Sequence, residues 1–278
     1  MSATGAVQDA QGILISTEAG NQLSPALAWD GSNYLVAWTD FRSGASYDIY
    51  GARVSAAGVL QDAAGVPIST AANNQLRPAV AWNGANHLVA WHDLRSGTTF
   101  DIYGARVSAA GAVQDTSGVP ISTAAGPQFA PALASNGTDF LVAWQDARSD
   151  PSFDVYDIYG ARVSAAGAVQ DAAGIPISAA PSDQVAPALA WNGTNNLVAW
   201  ENLGSNGTSD IYGARVSGAG AVQDPAGLPI TTAASFQEAT VVAWNGTNFL
   251  VAWMDSRSGT NSDVYGARVN AAGVVQDR

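Results

Sequence analysis

The chain has 278 residues, a formal net charge of −12 and no cysteine. Disulfides and thiolate metal sites are therefore excluded, and the negative charge opposes phosphate backbones, so nucleic acid and anionic membrane are poor partners. The two histidines, His87 and His92, fall in one segment and leave no histidine-rich metal centre.

No apolar run approaches the roughly 18–20 residues of a membrane-spanning helix. No basic segment followed by a hydrophobic stretch marks a signal peptide. The opening residues, Met1 to Asp9, read as the middle of a repeat unit, so the chain is expected to be a piece of a longer protein.

Taken in chain order, the first unit runs from Asn21 to Thr70. An apolar run, Pro25–Trp29, is followed by the turn residues Asp30-Gly31-Ser32-Asn33. A second run, Tyr34–Trp38, leads into Thr39-Asp40-Phe41-Arg42-Ser43-Gly44. Asp48–Ser55 comes third, then a connection rich in Gly, Ala and Asp, then Val66–Ser69. These are four strands rich in Val, Ile, Tyr and Trp, separated by turn residues.

The unit recurs. Leu35-Val36-Ala37-Trp38 returns four times, with tryptophans at 38, 91, 144, 200 and 253. The one longer interval carries a three-residue insertion, Asp154-Val155-Tyr156 before Asp157-Ile158-Tyr159. The first turn recurs as Asn83-Gly84, Asn136-Gly137, Asn192-Gly193 and Asn245-Gly246, a pair that favours tight antiparallel hairpins. Three of these copies and Asn206-Gly207-Thr208 also match a glycosylation acceptor; the turn reading is preferred. No segment has a 3.6-residue period.

Four strands repeated five times predict an all-β, five-bladed β-propeller with four antiparallel strands per blade. The second strand is apolar on both faces, as expected when a blade lies between two neighbours. Nine tryptophans, each offering roughly 150–250 Å² to bury, supply the inter-blade core. One domain, 1–278, is expected, with blades at 21–70, 74–123, 127–178, 183–232 and 236–270 plus 11–17. The stretch 2–9 has six copies and everything else five. Ile13–Ser16 is therefore expected to pair with Asp263–Asn270, complete the last blade and close the ring.

Chain reversal puts one polar set on one face. Gln22, Gln75, Gln128, Gln184 and Gln237 are expected around the axial mouth. Asp40/Arg42, Asp93/Arg95, Asp146/Arg148 and Asp255/Arg257 form a D-x-R element, replaced in blade four by Glu201-Asn202-Leu203. Asp48, Asp101, Asp157, Asp210 and Asp263 open the third strands, and Arg53, Arg106, Arg162, Arg215 and Arg268 follow five residues on. These groups read first as structural ties through charge-assisted hydrogen bonds. Sugar-hydroxyl binding is the alternative taken forward, and calcium is considered as a bound ion, disfavoured by the adjacent arginines.

The pattern L-V-A-W-x-D-x-R-S-G-x(3)-D-I-Y-G-A-R-V resembles repeats of bacterial secreted propellers with sialidase-type blades, over nearly the whole chain. Five short, near-identical blades are similar in architecture to the tachylectin-type lectins. The likeness implies an extracellular or cell-surface protein.

The expected function is a non-catalytic, multivalent carbohydrate-binding module, monomeric and without cofactor, working through the repeated Gln, Asp and Arg positions above. Tyr47 and Phe100 are candidate stacking surfaces, with Ser209 and Ser262 at the matching positions of blades four and five. A structural or adhesive propeller contacting surface proteins is the alternative. A five-bladed glycoside hydrolase is the second, and it needs two carboxylates in distinct roles. Arg77, Asp183 and Glu238 are the breaks in repeat symmetry near the axial mouth.

Overall fold

The computed structural model describes residues 7–204 and 207–277. Residues 2–6 of the leading repeat copy and Asn206 of the extra glycosylation motif lie outside them.

Blade one is β1 (Gln22–Trp29), β2 (Asn33–Asp40), β3 (Asp48–Ser55) and β4 (Val66–Ser69); blade two is β5 (Gln75–Trp82), β6 (Asn86–Asp93), β7 (Asp101–Ser108) and β8 (Val119–Ser122). Blade three is β9 (Gln128–Ser135), β10 (Phe140–Asp146), β11 (Asp157–Val163) and β12 (Ile175–Ser178). Blade four is β13 (Asp183–Trp191), β14 (Asn195–Leu203), β15 (Ser209–Ser217) and β16 (Leu228–Thr231). Blade five has β17 (Gln237–Trp244), β18 (Asn248–Asp255) and β19 (Asp263–Asn270). Each sheet is an antiparallel meander in chain order, and there is no helix among the described residues.

The hairpin glycines take the left-handed backbone that the Asn-Gly pair favours, as at Gly84 (φ 93°) and Gly137 (φ 91°). The Asn136 side-chain oxygen accepts the N–H groups of Thr138 and Asp139, which fixes the turn from within. β2 is buried from Leu35 to Asp40. Its Leu35 and Ala37 pack with Ile49 and Ile68 against Val89, Trp91, Ala105 and Val107 of blade two. The same layer recurs between blades two and three, three and four, and four and five. Inner strands of all five blades line one axial cavity of about 300 Å³, walled by Ala26, Pro78, Pro131, Pro187 and Val241 among others.

The closing strand differs from expectation. β19 pairs with β18 alone, and Ile13–Ser16 is in no strand. That segment lies on blade one instead, where Ile15 packs against Val36, Trp38, Ala52 and Val54. Blade five thus keeps an unpaired edge: Val264 is 81% exposed, whereas Ile49, Ile102, Ile158 and Ile211 at the same repeat position are fully buried.

Candidate carboxylate site at the axial mouth

Two arginine systems recur, and both serve the fold. In the first, the Asp40 carboxylate accepts from Trp38 Nε1 (2.7 Å), from Arg42 Nη2 (2.7 Å) and from the Arg42 backbone N–H (2.8 Å). The Arg42 guanidinium lies 3.8 Å from the Tyr50 ring centroid and donates to the Ala64 carbonyl. Burial alone would raise the Asp40 carboxyl, but the bonds from Arg42 and Trp38 hold it below the ordinary range. The clamp repeats at Asp93, Asp146 and Asp255, all buried.

In the second system, Arg53 chelates Asp62 of its own blade at 2.8 Å, and its Nη1 reaches the Ala109 carbonyl of blade two. The cross-blade tie expected of the D-x-R element is thus made in blade one by the other arginine. Arg148 does both, because it also donates to Ser122 Oγ of blade two.

The glutamines expected around the mouth are turned inward. Gln75, Gln128, Gln184 and Gln237 are fully buried, and Gln22 is half-buried. Gln75 Nε2 donates to the carbonyls of Ala71, Ala72 and Asn73, Gln22 to those of Glu18 and Gly20, and Gln184 to Ser182. Asp48, Asp101 and Asp157 are buried, and burial raises their carboxyls; Asp210 is half-buried and raised for the same reason, and Asp263 is exposed. Phe41 and Tyr47 stack on each other at 4.6 Å, and Phe100 packs on Phe129 at 5.2 Å. Among the described residues no three or more His, Cys, Asp or Glu side chains group as a metal site.

What does reach the mouth is set by a bulge. Each inner strand shifts register after its second residue or the next, and a residue there takes positive φ: Ser24, Arg77, Ala130, Ala186 and Ala239, between 49° and 54°. The N–H of Arg77 donates to Thr39 Oγ1 of the preceding blade, that of Ala186 to Gln145 Oε1, and that of Ala239 to Glu201 Oε1 at 2.6 Å. The residue after the second-strand tryptophan therefore stands at the rim in every blade: Thr39, His92, Gln145, Glu201 and Met254.

Only in blade four is that residue an acid. Glu201 is half-buried, and its carboxyl is raised by burial and, secondarily, by the charge of Glu238. Glu238 is exposed on β17, at a position that is Leu23, Leu76, Phe129 or Val185 in the other blades. One carboxyl held toward its protonated form thus faces an exposed one across the boundary of blades four and five. Blade four also lacks the clamp: Asn202 replaces the aspartate, and Trp200 Nε1 is buried without a partner.

The symmetry break at Glu238 was legible in sequence. Glu201 was legible only as part of the missing D-x-R element, because its role depends on a bond to the next blade. Asp183 accepts the Tyr156 N–H (2.8 Å) and so belongs to the loop structure. Arg77 and His92 stand in blade two. The His92 ring is neutral, lowered to about 4 by burial and then by the Arg77 charge, and meets Phe100 and Phe129 edge-on.

No protein-family model and no curated protein matches this sequence, so the likeness to sialidase-type and tachylectin-type repeats has no family support. Solved structures do match over nearly the full chain. A thermostable family-43 glycoside hydrolase superposes with a TM-score of 0.55 at 10% identity, covering 95% of each chain. The α-L-arabinofuranosidase from Lactobacillus brevis gives 0.51 at 10%, covering 91% of this chain and 93% of its own. The GH43_1 enzyme from Xanthomonas citri, complexed with xylotriose, gives 0.50 at 10%, covering 94% and 91%.

The shared property is the fold. It nevertheless corrects the expectation of a non-catalytic, lectin-like module: the neighbours of this architecture are glycoside hydrolases.

Proposed function

We propose that the chain is a glycoside hydrolase, with Glu201 as proton donor and Glu238 as the second carboxylate. The observation that carries this reading is the pairing of a half-buried, proton-retaining Glu201 with an exposed Glu238 at the axial mouth. Glycosidic cleavage needs that division: one carboxylic acid protonates the leaving oxygen, and one carboxylate acts as base or nucleophile. Two further features support it. Glu238 occupies a position otherwise apolar, where an acid contributes nothing to packing. The missing clamp in blade four removes a bulky Arg–Asp pair from the rim beside Glu201.

The fold neighbours nominate arabinofuranosides and xylo-oligosaccharides as first substrates. Such polymers lie outside the cell, and the reading places the protein there too. The test is a panel of aryl furanosides and pyranosides with the intact protein. Turnover that falls at least about 100-fold in both Glu201→Gln and Glu238→Gln supports the assignment. No turnover across the panel, or turnover indifferent to both changes, ends it.

A further inference from the structure

The unpaired edge of blade five borders a groove of about 800 Å³ lined by Trp253, Arg257, Tyr265, Gly266, Ile230 and Asp277. The other four blades specify what fills such a groove. In blade one, Val66 lies opposite Gly51, Pro67 opposite Tyr50 and Ser69 opposite Ile49. Ile68 Cδ1 fills the space above Gly51, as Ile121, Ile177 and Ile230 fill it above Gly104, Gly160 and Gly213; above Gly266 no isoleucine lies within 4 Å. Arg42, Arg95 and Arg148 each donate Nη1 to a carbonyl of the connection before the fourth strand. Arg257 forms the same aspartate clamp but makes no such carbonyl bond.

The groove thus asks for an extended segment with a turn glycine, an apolar residue, a spacer and then Ile-Ser. The described chain has one unpaired copy: Gly12-Ile13-Leu14-Ile15-Ser16. Its approach is already built like the others, because the Gly12 N–H bonds to the Asp9 carbonyl as that of Gly65 does to Asp62. Ile15 packs on blade one as Ile68 packs on blade two.

We propose that the free edge of β19 is a strand-binding site whose occupant is the chain's own Asp9–Ser16 segment, and that seating it replaces Asp277 by Asp9 on Arg268. The occupant comes from the same chain because β1 and β17 already wall one axial cavity, so the gap between them is a seam of a single ring. The exchange follows from spacing. Asp62, which chelates Arg53, stands four residues before Val66, and Asp9 stands four before Ile13. Asp277 now chelates Arg268 through Nε and Nη2, on a side chain 53% exposed. An incoming strand in register brings a second aspartate to the same guanidinium. Binding of this kind adds a strand through main-chain bonds, with pockets for alternate side chains.

The chain has no cysteine, so a pair can be placed without competition. Leu14 and Tyr265 are both exposed and stand where Pro67 and Tyr50 pair. In the full-length Leu14→Cys/Tyr265→Cys variant, mild oxidation is expected to give a bond within one chain, read as a faster non-reducing band of monomer mass. A band of dimer mass would assign the groove to a second copy, and absence of any bond would leave no strand at this edge; either overturns the proposal. Adding Asp277→Ala should speed cross-linking severalfold, and adding Asp9→Ala should slow it. Equal rates in the two would overturn the exchange at Arg268.

Discussion

The Glu201 carboxylate accepts the Ala239 N–H at 2.6 Å and so fastens blade four to the inner strand of blade five. Glutamine in that place keeps an acceptor and loses the proton. Glu201→Gln is expected to stay within about 1 kcal/mol of the parent in urea melts, while glycoside turnover falls about 10²–10⁴-fold. Glu201→Ala should lose activity and also about 1–3 kcal/mol, since the Ala239 amide is left unpaired.

The raised Glu201 carboxyl sets the alkaline side of the pH–rate profile. A general acid must carry its proton, so activity declines as pH rises through a value above the ordinary glutamate range. Profiles of kcat/KM should show that limb in the parent protein. They should lose it in Glu201→Gln when a substrate with an activated leaving group restores measurable turnover.

The tryptophan clamp predicts where stability is concentrated. Asp146→Ala strands the buried Trp144 Nε1 and the Arg148 guanidinium, both of which donate to Asp146. Removing one side of a buried ion pair of this kind typically costs about 3–5 kcal/mol. The reverse change is available in blade four: Asn202→Asp with Gly204→Arg supplies the unpartnered Trp200 Nε1 with an acceptor and the acceptor with a counter-charge. A gain of about 1–2 kcal/mol in urea melts is expected, at the scale of a charge-assisted hydrogen bond.

Acid should destabilise the protein in two separable windows. The His92 ring has its pKa lowered to about 4, so the unfolded chain takes up a proton that the folded one refuses. Stability from that group is present above the ordinary histidine value and declines as pH falls toward about 4, by about 3 kcal/mol in all. Asp255, held at about 2 chiefly by the Arg257 bonds, keeps its contribution above the ordinary aspartate value and loses it as pH falls toward about 2. Urea melts from pH 7 to 2 should flatten in the upper window for His92→Phe and in the lower for Asp255→Asn.

Much of the fold is legible in the repeat. Asp48–Ser55 and Val66–Ser69 are strands with the very bounds that the pattern suggests, and the Asn-Gly turns fall where expected. The strand Pro25–Trp29 starts three residues earlier, at Gln22, because a bulge after Leu23 lets the chain continue pairing past the apolar run. A bulge has no apolar signature of its own. Asp40 and Arg42 are visible as a pair, but their acceptance of Trp38 Nε1 is not, since the indole N–H is hidden in a residue read for its area. The fifth blade's edge was misjudged for a related reason: sequence counts copies, whereas pairing depends on which neighbour a segment packs on first.

Both arginine systems close within the blade that carries them, Arg42 on Asp40 and Arg53 on Asp62. A unit of this kind brings its own ionic staples when it is copied, and the duplicate needs only an apolar face to greet its sibling. Tandem growth of the gene can then add or shed whole blades with few compensating changes elsewhere. Novelty enters afterwards, one copy at a time, as the drift of blade four away from its siblings illustrates.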